Sequence, residues 1–67
     1  MKRHEMVALR AKRGLTQKET ATLLGINPST LNHVETGKRY GTPEFWRKYK
    51  ELFELDGEQV WNIQNHI

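Results

Sequence analysis

The segment from Thr16 to Lys38 constrains the fold more than any other part of the chain, because helix starts and stops follow one another there at short intervals. Thr16 and Glu19 have the spacing of a capping box, in which each side chain bonds to the other residue's backbone. We therefore expect a helix from Gln17 to about Leu24. Gly25 then supplies the left-handed conformation of a tight turn.

A second helix start follows the turn directly. Asn27 is a favourable N-cap, and Pro28 suits the first helical position, where its missing N–H costs nothing. We expect this helix to run from Pro28 to about Glu35, with Gly37 beyond its end. Two short helices joined by a glycine turn form a helix-turn-helix, here over about residues 17–35, and the second helix of such a unit can read DNA.

Similar signals predict three further helices. One should run from about Lys2 to Arg13, one from Pro43 to about Glu54, and a short one through Val60 and Trp61. No segment has the alternating pattern of a strand, and no linker divides the chain. We predict one all-α domain over residues 1–67, a compact bundle of five short helices.

Charge is distributed unevenly along the 67 residues. Residues 1–50 contain 11 basic and 4 acidic side chains, a net charge of +7, whereas residues 51–67 contain four acidic side chains and no Lys or Arg. Such polarity suits a protein that presents one end to a polyanion. A short chain with a merely solvated surface can have the same asymmetry.

The composition argues against several functional classes. The chain has no cysteine, Ser29 is its only serine, and the three histidines (His4, His33 and His66) lie too far apart to suggest a metal site. No apolar stretch is long enough to span a membrane. We expect a cytoplasmic protein that is not an enzyme and uses no cofactor or metal.

The helix predicted from Pro28 has two opposite faces. At about 100° per residue, Leu31 and Val34 point towards a core. The opposite arc consists of Pro28, Ser29, Asn32 and His33. Asn and His can both donate and accept hydrogen bonds, and Asn can pair with adenine at two points. These four are the candidate base-reading residues, although polar residues on one helix face are often only solvated.

The surroundings of this helix suggest further roles. Glu35 is an acid in the last turn, where it opposes the helix dipole and needs a partner. Arg10 is the best candidate, because its guanidinium matches a carboxylate in two-point geometry. Lys38 and Arg39 follow just after the end of this helix, where they can contact the phosphate backbone. Gln17, at the start of the preceding helix, can do the same.

All six aromatic residues lie from Tyr40 onward. On the predicted helix after Pro43 most of them form one apolar stripe, which should serve the core first. Part of this surface can form a subunit or partner interface, or the aromatics can simply compensate for a small core. The candidate interface residues are Leu23, Phe45, Leu52, Val60, Trp61 and Ile63.

A longer pattern links these features over about residues 5–55. It consists of Leu9-Arg10, Arg13-Gly14-Leu15-Thr16-Gln17, Ala21, Leu24-Gly25-Ile26, Ser29-Thr30-Leu31 and Val34-Glu35-Thr36-Gly37-Lys38-Arg39. With this string the sequence resembles the xenobiotic-response-element family of helix-turn-helix proteins, the group that contains phage repressors and Cro proteins.

The resemblance implies a lambda repressor-like fold whose third helix enters the major groove of double-stranded DNA. It also implies a homodimer bound to a near-palindromic operator. By position, Gln17, Asn27, Lys38 and the loop after it would contact phosphates. Pro28, Ser29, Asn32 and His33 would read bases, and the Arg10–Glu35 pair would be a structural link.

The sequence departs from the family pattern at three places. Thr20 stands where relatives usually have a buried leucine, and Leu23 occupies a usually polar site, so the second helix is either rotated slightly or exposes Leu23. Pro28 replaces a side chain that often reads a base. The acidic end after Glu51 is less typical of the family.

Two functions from different classes remain open. The first is a sequence-specific transcription regulator, a repressor or Cro-like protein of a phage or mobile element. The second is a modulator or anti-repressor that docks to a partner repressor through its aromatic, acidic C-terminal part. An antitoxin or restriction-controller role lies between the two.

Overall fold

Five α-helices make up the regular structure, and the computed structural model describes residues 3–65. The helices are α1 (His4–Lys12), α2 (Gln17–Leu24), α3 (Pro28–Glu35), α4 (Pro43–Phe53) and α5 (Gly57–Asn65). Within the described residues there is no strand. The predicted all-α bundle of five short helices with a helix-turn-helix is confirmed, and α2 and α3 have the predicted bounds.

The ends of the other helices differ slightly from the prediction. Helix α1 begins at His4 and ends one residue earlier than expected, while the predicted start at Lys2 lies outside the described residues. Helix α4 ends at Phe53, because Glu54 adopts a left-handed conformation with φ of 54° that cannot continue the helix. Helix α5 runs on to Asn65.

Side-chain caps fix where the helices begin. The hydroxyl of Thr16 accepts the N–H of Glu19 at 3.0 Å, and the Glu19 carboxylate accepts the N–H of Thr16 at 2.9 Å. The bond from the Thr16 backbone lowers the pKa of Glu19 below its ordinary value. Asp56 and Gln59 form the same reciprocal pair at the start of α5, at 2.8 and 2.9 Å. The predicted capping box of Thr16 and Glu19 is therefore present, and α5 begins with a second box of the same kind.

Every helix contributes an apolar face to one core. Helix α4 contributes the most, since four of its aromatic rings are buried and contact one another with centroids 4.6 to 5.8 Å apart. The predicted aromatic stripe is thus mainly core. The buried apolar residues are Met6, Ala21, Leu24, Leu31, Val34, Phe45, Trp46, Tyr49, Phe53, Val60 and Ile63.

Helix α2 accommodates a threonine in this core without rotating away from it. Thr20 is fully buried, and its hydroxyl donates to the Thr16 carbonyl at 2.9 Å. The Thr20 hydroxyl therefore has a hydrogen-bond partner in spite of its burial. Leu23 instead points outward with 59% of its surface exposed. The sequence allowed either a slightly rotated α2 or an exposed Leu23, and the structure has the exposed Leu23.

The loop between α3 and α4 is held by a close approach of backbone to an indole ring. The indole N–H of Trp46 donates to the Tyr40 carbonyl at 2.5 Å. Gly41 follows with φ of 82°, and a Cβ at this position would lie 2.9 Å from Trp46 Nε1 and 3.0 Å from Phe45 Cδ2. Only glycine fits both the conformation and the space.

Gly41→Ala is expected to destabilise the protein more than the matched variant Gly14→Ala. Both positions have positive φ, which costs an alanine about 1 kcal/mol. A Cβ at Gly14 meets no atom within 4 Å, whereas one at Gly41 must displace a buried indole, which costs about 1–3 kcal/mol more. Urea unfolding of the two variants measures the difference. Equal losses would mean that the loop moves freely away from Trp46.

Candidate nucleic-acid interface

Helices α2 and α3 pack against each other across a turn of three residues. Gly25 adopts the left-handed conformation with φ of 71°, and the N–H of Ile26 returns to the Ala21 carbonyl at 2.9 Å. These are the bonds of a left-handed helix C-cap, which direct the chain sharply away from α2. The orientation of α3 is therefore set by local geometry.

Helix α3 has the two faces that the sequence predicts. Leu31 and Val34 have no exposed surface and belong to the core. On the opposite side the structure brings together the four candidate base-reading residues. Pro28, Ser29 and Asn32 are exposed, and His33 is half-buried.

The start of α3 is fixed by Asn27. Its side-chain oxygen accepts the N–H of Ser29 at 2.8 Å, and Pro28 occupies the first helical position. Because this cap uses only the oxygen of the amide, the Asn27 NH₂ group remains a donor at the exposed N-terminus of the helix. A positive helix dipole end with free donors suits an anion such as a phosphate.

The predicted ion pair between α1 and α3 is present. Arg10 Nε lies 2.7 Å from Glu35 Oε2 and Arg10 Nη2 lies 3.0 Å from Glu35 Oε1, the two-point geometry of a guanidinium on a carboxylate. The hydrogen bonds to Glu35 raise the pKa of Arg10. Glu35 is only 2% exposed, so the acid that opposes the dipole of α3 is neutralised inside the protein.

Gln17 does not project freely from the start of α2. Its side-chain nitrogen donates to Glu35 Oε1 at 3.0 Å and to Asn32 Oδ1 at 3.3 Å. The side chain thus bridges α2 and α3 next to the candidate base-reading face. A phosphate contact at this position is left to the backbone N–H groups of Gln17 and Lys18, because the Thr16 hydroxyl already accepts the N–H of Glu19.

Two basic side chains stand beside this face. The backbone N–H groups of Lys38 and Arg39 both donate to the His33 carbonyl, at 2.8 and 3.1 Å. This holds the loop against the C-terminal end of α3, while both side chains remain exposed. Lys38 and Arg39 therefore flank the exposed arc of α3 with positive charge.

One residue that positions the site was not found from the sequence. Arg3 is 1% exposed, and its guanidinium donates to the carbonyls of Val34 at 2.6 Å, Arg39 at 2.8 Å and Gln64 at 3.1 Å. Burial lowers its pKa, yet an arginine stays charged in a protein. Its backbone N–H also bonds to the Glu35 carbonyl at 2.6 Å. Arg3 thus connects the C-terminal ends of α3 and α5 to the loop that contains Lys38 and Arg39. Both helix ends carry the negative end of a helix dipole, which favours a buried cation.

The candidate interface residues fall into two groups. Phe45, Val60 and Ile63 lie in the core and cannot reach a partner without unfolding. Leu23 and Trp61 are 59% and 63% exposed, and Leu52 is half-buried. Of the six candidate interface residues, only Leu23, Leu52 and Trp61 therefore present surface to a partner.

Neither a cluster of metal ligands nor a membrane-spanning helix is present within residues 3–65. Across residues 3–65, no three His, Cys, Asp or Glu side chains come close enough together to hold a metal ion, and His66 lies outside this range. In the same part of the chain, no helix has both the length and the apolar character needed to cross a membrane.

Comparison with known proteins gives one match. The model of a family described as a helix-turn-helix domain matches residues 4–61, which include all of α1 to α4 and most of α5. No curated protein and no solved structure matches the chain.

Proposed function

The chain belongs to the helix-turn-helix domain family, and on that premise we propose that it is a sequence-specific DNA-binding regulator of transcription, of the repressor or Cro type. One observation carries the proposal: α3 presents Ser29, Asn32 and His33 on its outer face while Leu31 and Val34 anchor its inner face in the core. A short helix held in this way can enter the major groove and offer polar side chains to base edges.

The charges around α3 support the same function. Lys38 and Arg39 flank the exposed arc, and residues 1–50 have a net charge of +7. Basic side chains beside a groove-reading helix contact phosphates and fix the register of the protein on the duplex. Asn27 and the first turn of α2 add uncharged donors for the same purpose.

We propose that two copies bind one operator. A helix of eight residues reads only a few base pairs, and regulators of this type gain specificity by placing two recognition helices in successive major grooves. Near the C-terminal end, Trp61 is exposed and Leu52 is half-buried, and a second copy can cover both residues. The operator is then a near-palindrome.

Selection of bound sequences from random duplex DNA tests the proposal, together with the mass of the complex. We expect enrichment of a palindromic pair of half-sites about one helical turn apart, and a complex that contains two protein chains. A protein that enriches no sequence would not be a sequence-specific regulator.

The residues of the interface should have separable effects. Asn32→Ala and His33→Ala should change the preferred sequence, because they remove hydrogen bonds to bases, at about 1–3 kcal/mol for each good pair. Lys38→Ala should weaken binding to operator and random DNA alike, because it removes a phosphate contact. Competition binding with both kinds of DNA measures the effects. Equal losses on both for all three variants would contradict the assigned roles.

A second function is favoured by the exposure of Leu23 and Trp61. Large apolar side chains on a small surface can mark a contact with another protein, so the chain would act as a modulator that docks to a partner repressor. Complex formation with a repressor encoded nearby, without operator binding by the chain itself, would favour this function. Antitoxin and restriction-controller roles combine both activities.

A further inference from the structure

A groove between α2 and α4 contains two leucines that the core does not fully cover. Leu23 points outward from α2 and is 59% exposed, and Leu52 on α4 is half-buried. Both side chains line this groove, together with Gly25 at the C-terminal end of α2 and with Lys48 and Glu51 of α4. We call Leu23, Lys48, Glu51 and Leu52 the groove face.

The two charges of the groove face are opposite in sign and are not paired with each other. Lys48 and Glu51 are exposed and lie three residues apart on α4. Within the described part of the chain neither belongs to an ion pair, whereas Glu44 and Arg47, which have the same spacing, form one. Lys48 extends towards α2 instead, since a Cβ at Gly25 would lie 3.9 Å from Lys48 Nζ. Both charges therefore remain available to a partner.

A second copy of the chain presents complementary charges at the required spacing. An interface between two identical chains is usually twofold symmetric, so that each contact between two different residues occurs twice. When two α4 helices cross in antiparallel directions about such an axis, Lys48 of each chain faces Glu51 of the partner subunit. Leu23 and Leu52 of both chains then surround these pairs. A chain of unrelated sequence has no such built-in match.

The groove face leaves the candidate DNA-binding residues free. Gln17, at the start of α2, lies beside Asn32 on the outer face of α3. The groove lies at the other end of α2, and none of the candidate base-reading or phosphate-binding residues lines it. Contact with a second copy and contact with DNA can therefore occur on the same molecule.

We propose that the groove face is an interface between two copies of this chain, related by a twofold axis that pairs Lys48 of each with Glu51 of the other. This specifies the surface for the two-copy binding proposed above, and it is tested without DNA. Two leucines and one reciprocal ion pair per chain make a small interface, so association in solution is weak, with a Kd in the micromolar range or above.

Charge reversal tests the proposal in sedimentation equilibrium at protein concentrations up to the millimolar range. Lys48→Glu sets two carboxylates against each other at both ends of the interface, and Glu51→Lys sets two ammonium groups against each other. Each variant alone should associate at least about tenfold more weakly than the wild type, because like charges that face each other oppose docking.

Mixing the two variants provides the decisive comparison. In a mixed dimer every cation again faces an anion, so an equimolar mixture should associate with an affinity within about threefold of the wild type. The double variant Lys48→Glu/Glu51→Lys should also recover, since it is complementary to itself. Damage to the fold cannot produce this pattern.

Two further variants separate the apolar and the general electrostatic contributions. Leu23→Gln should weaken association by about tenfold, because it removes a leucine from each half of the interface. Its exposure in the monomer means that the fold is retained, which circular dichroism checks. Lys50→Glu is the matched control for Lys48→Glu: Lys50 is exposed on α4 but does not line the groove, so association should change by less than about twofold.

The other outcomes would overturn the proposal. A wild type that stays monomeric at millimolar concentration has no such interface, even if Leu23 proves to bind a repressor encoded nearby. Self-association that Lys48→Glu, Glu51→Lys and Leu23→Gln all leave unchanged would place the contact elsewhere, such as at Trp61. Duplex binding by the wild type at low salt is measured separately, so either the DNA-binding function or the groove interface can fail alone.

Discussion

Replacing Arg10 with alanine is expected to lower the free energy of unfolding by about 3–5 kcal/mol, the largest effect expected for any single substitution discussed. The reason is that the substitution leaves Glu35, the partner of Arg10, buried. Glu35 is 2% exposed and would lose both bonds from the guanidinium, keeping only the Gln17 NH₂ group. A buried carboxylate without its counter-charge is costly.

This loss is a large part of the total stability. A domain of 67 residues has about 3–10 kcal/mol of stability in all. Arg10→Ala should therefore be partly or largely unfolded at 37 °C, which far-UV circular dichroism and urea unfolding measure. Arg47→Ala is the control, because its ion pair with Glu44 spans 4.0 Å in solvent and is worth less than about 0.5 kcal/mol. If both variants lose the same free energy of unfolding, the buried Arg10–Glu35 pair contributes no more to stability than the exposed pair, and the prediction is wrong.

The second large effect is expected for Arg3→Met, with a loss of about 3 kcal/mol. Hydrogen bonds from a charged donor contribute about 1.5–3 kcal/mol, and this substitution leaves the carbonyls of Arg39 and Gln64 without the guanidinium. Methionine retains apolar volume, so the loss reports mainly the polar contacts. Amide hydrogen exchange should become faster in the loop 36–41 and at the end of α5 by a larger factor than in the rest of the protein.

Arg39→Met provides the comparison within the same loop. The Arg39 side chain is exposed, so its removal should change stability by less than about 0.5 kcal/mol while weakening DNA binding. Arg3→Met should instead cost about 3 kcal/mol of stability and, through the displaced loop, also weaken DNA binding. An Arg3→Met variant that unfolds at the same urea concentration as the wild type would show that the buried guanidinium is not needed.

The fold could be predicted because its helix boundaries are set by neighbouring residues. The Thr16–Glu19 box and the Asn27–Pro28 start act within one turn of helix, so the sequence contains the whole signal. The Arg10–Glu35 pair spans 25 residues, yet it was also predictable, since an acid in the last turn of a helix needs a cation from elsewhere.

Arg3 could not be predicted in the same way. Its partners are backbone carbonyls 31 to 61 residues away, and a carbonyl is the same for every residue type. The orientation of Gln17 towards Glu35 and Asn32 was missed because it depends on the angle at which α2 meets α3.

The apolar residues near the C-terminal end show a related limit. Periodicity indicates that a helix face is apolar, but not how much of that face its neighbours cover. Val60 and Ile63 are buried, whereas the adjacent Trp61 is 63% exposed. Only the packed bundle separates core from surface here.

The central claim, that this chain binds DNA through α3 and the basic residues beside it, is tested most directly by the salt dependence of duplex binding. Two copies with Lys38 and Arg39 each contacting a phosphate predict a slope of log affinity against log salt of about −3 to −4, at about −0.9 per phosphate. Lys38→Ala should make this slope shallower by about 2. Binding that does not depend on salt, or no binding even at low salt, would contradict the account.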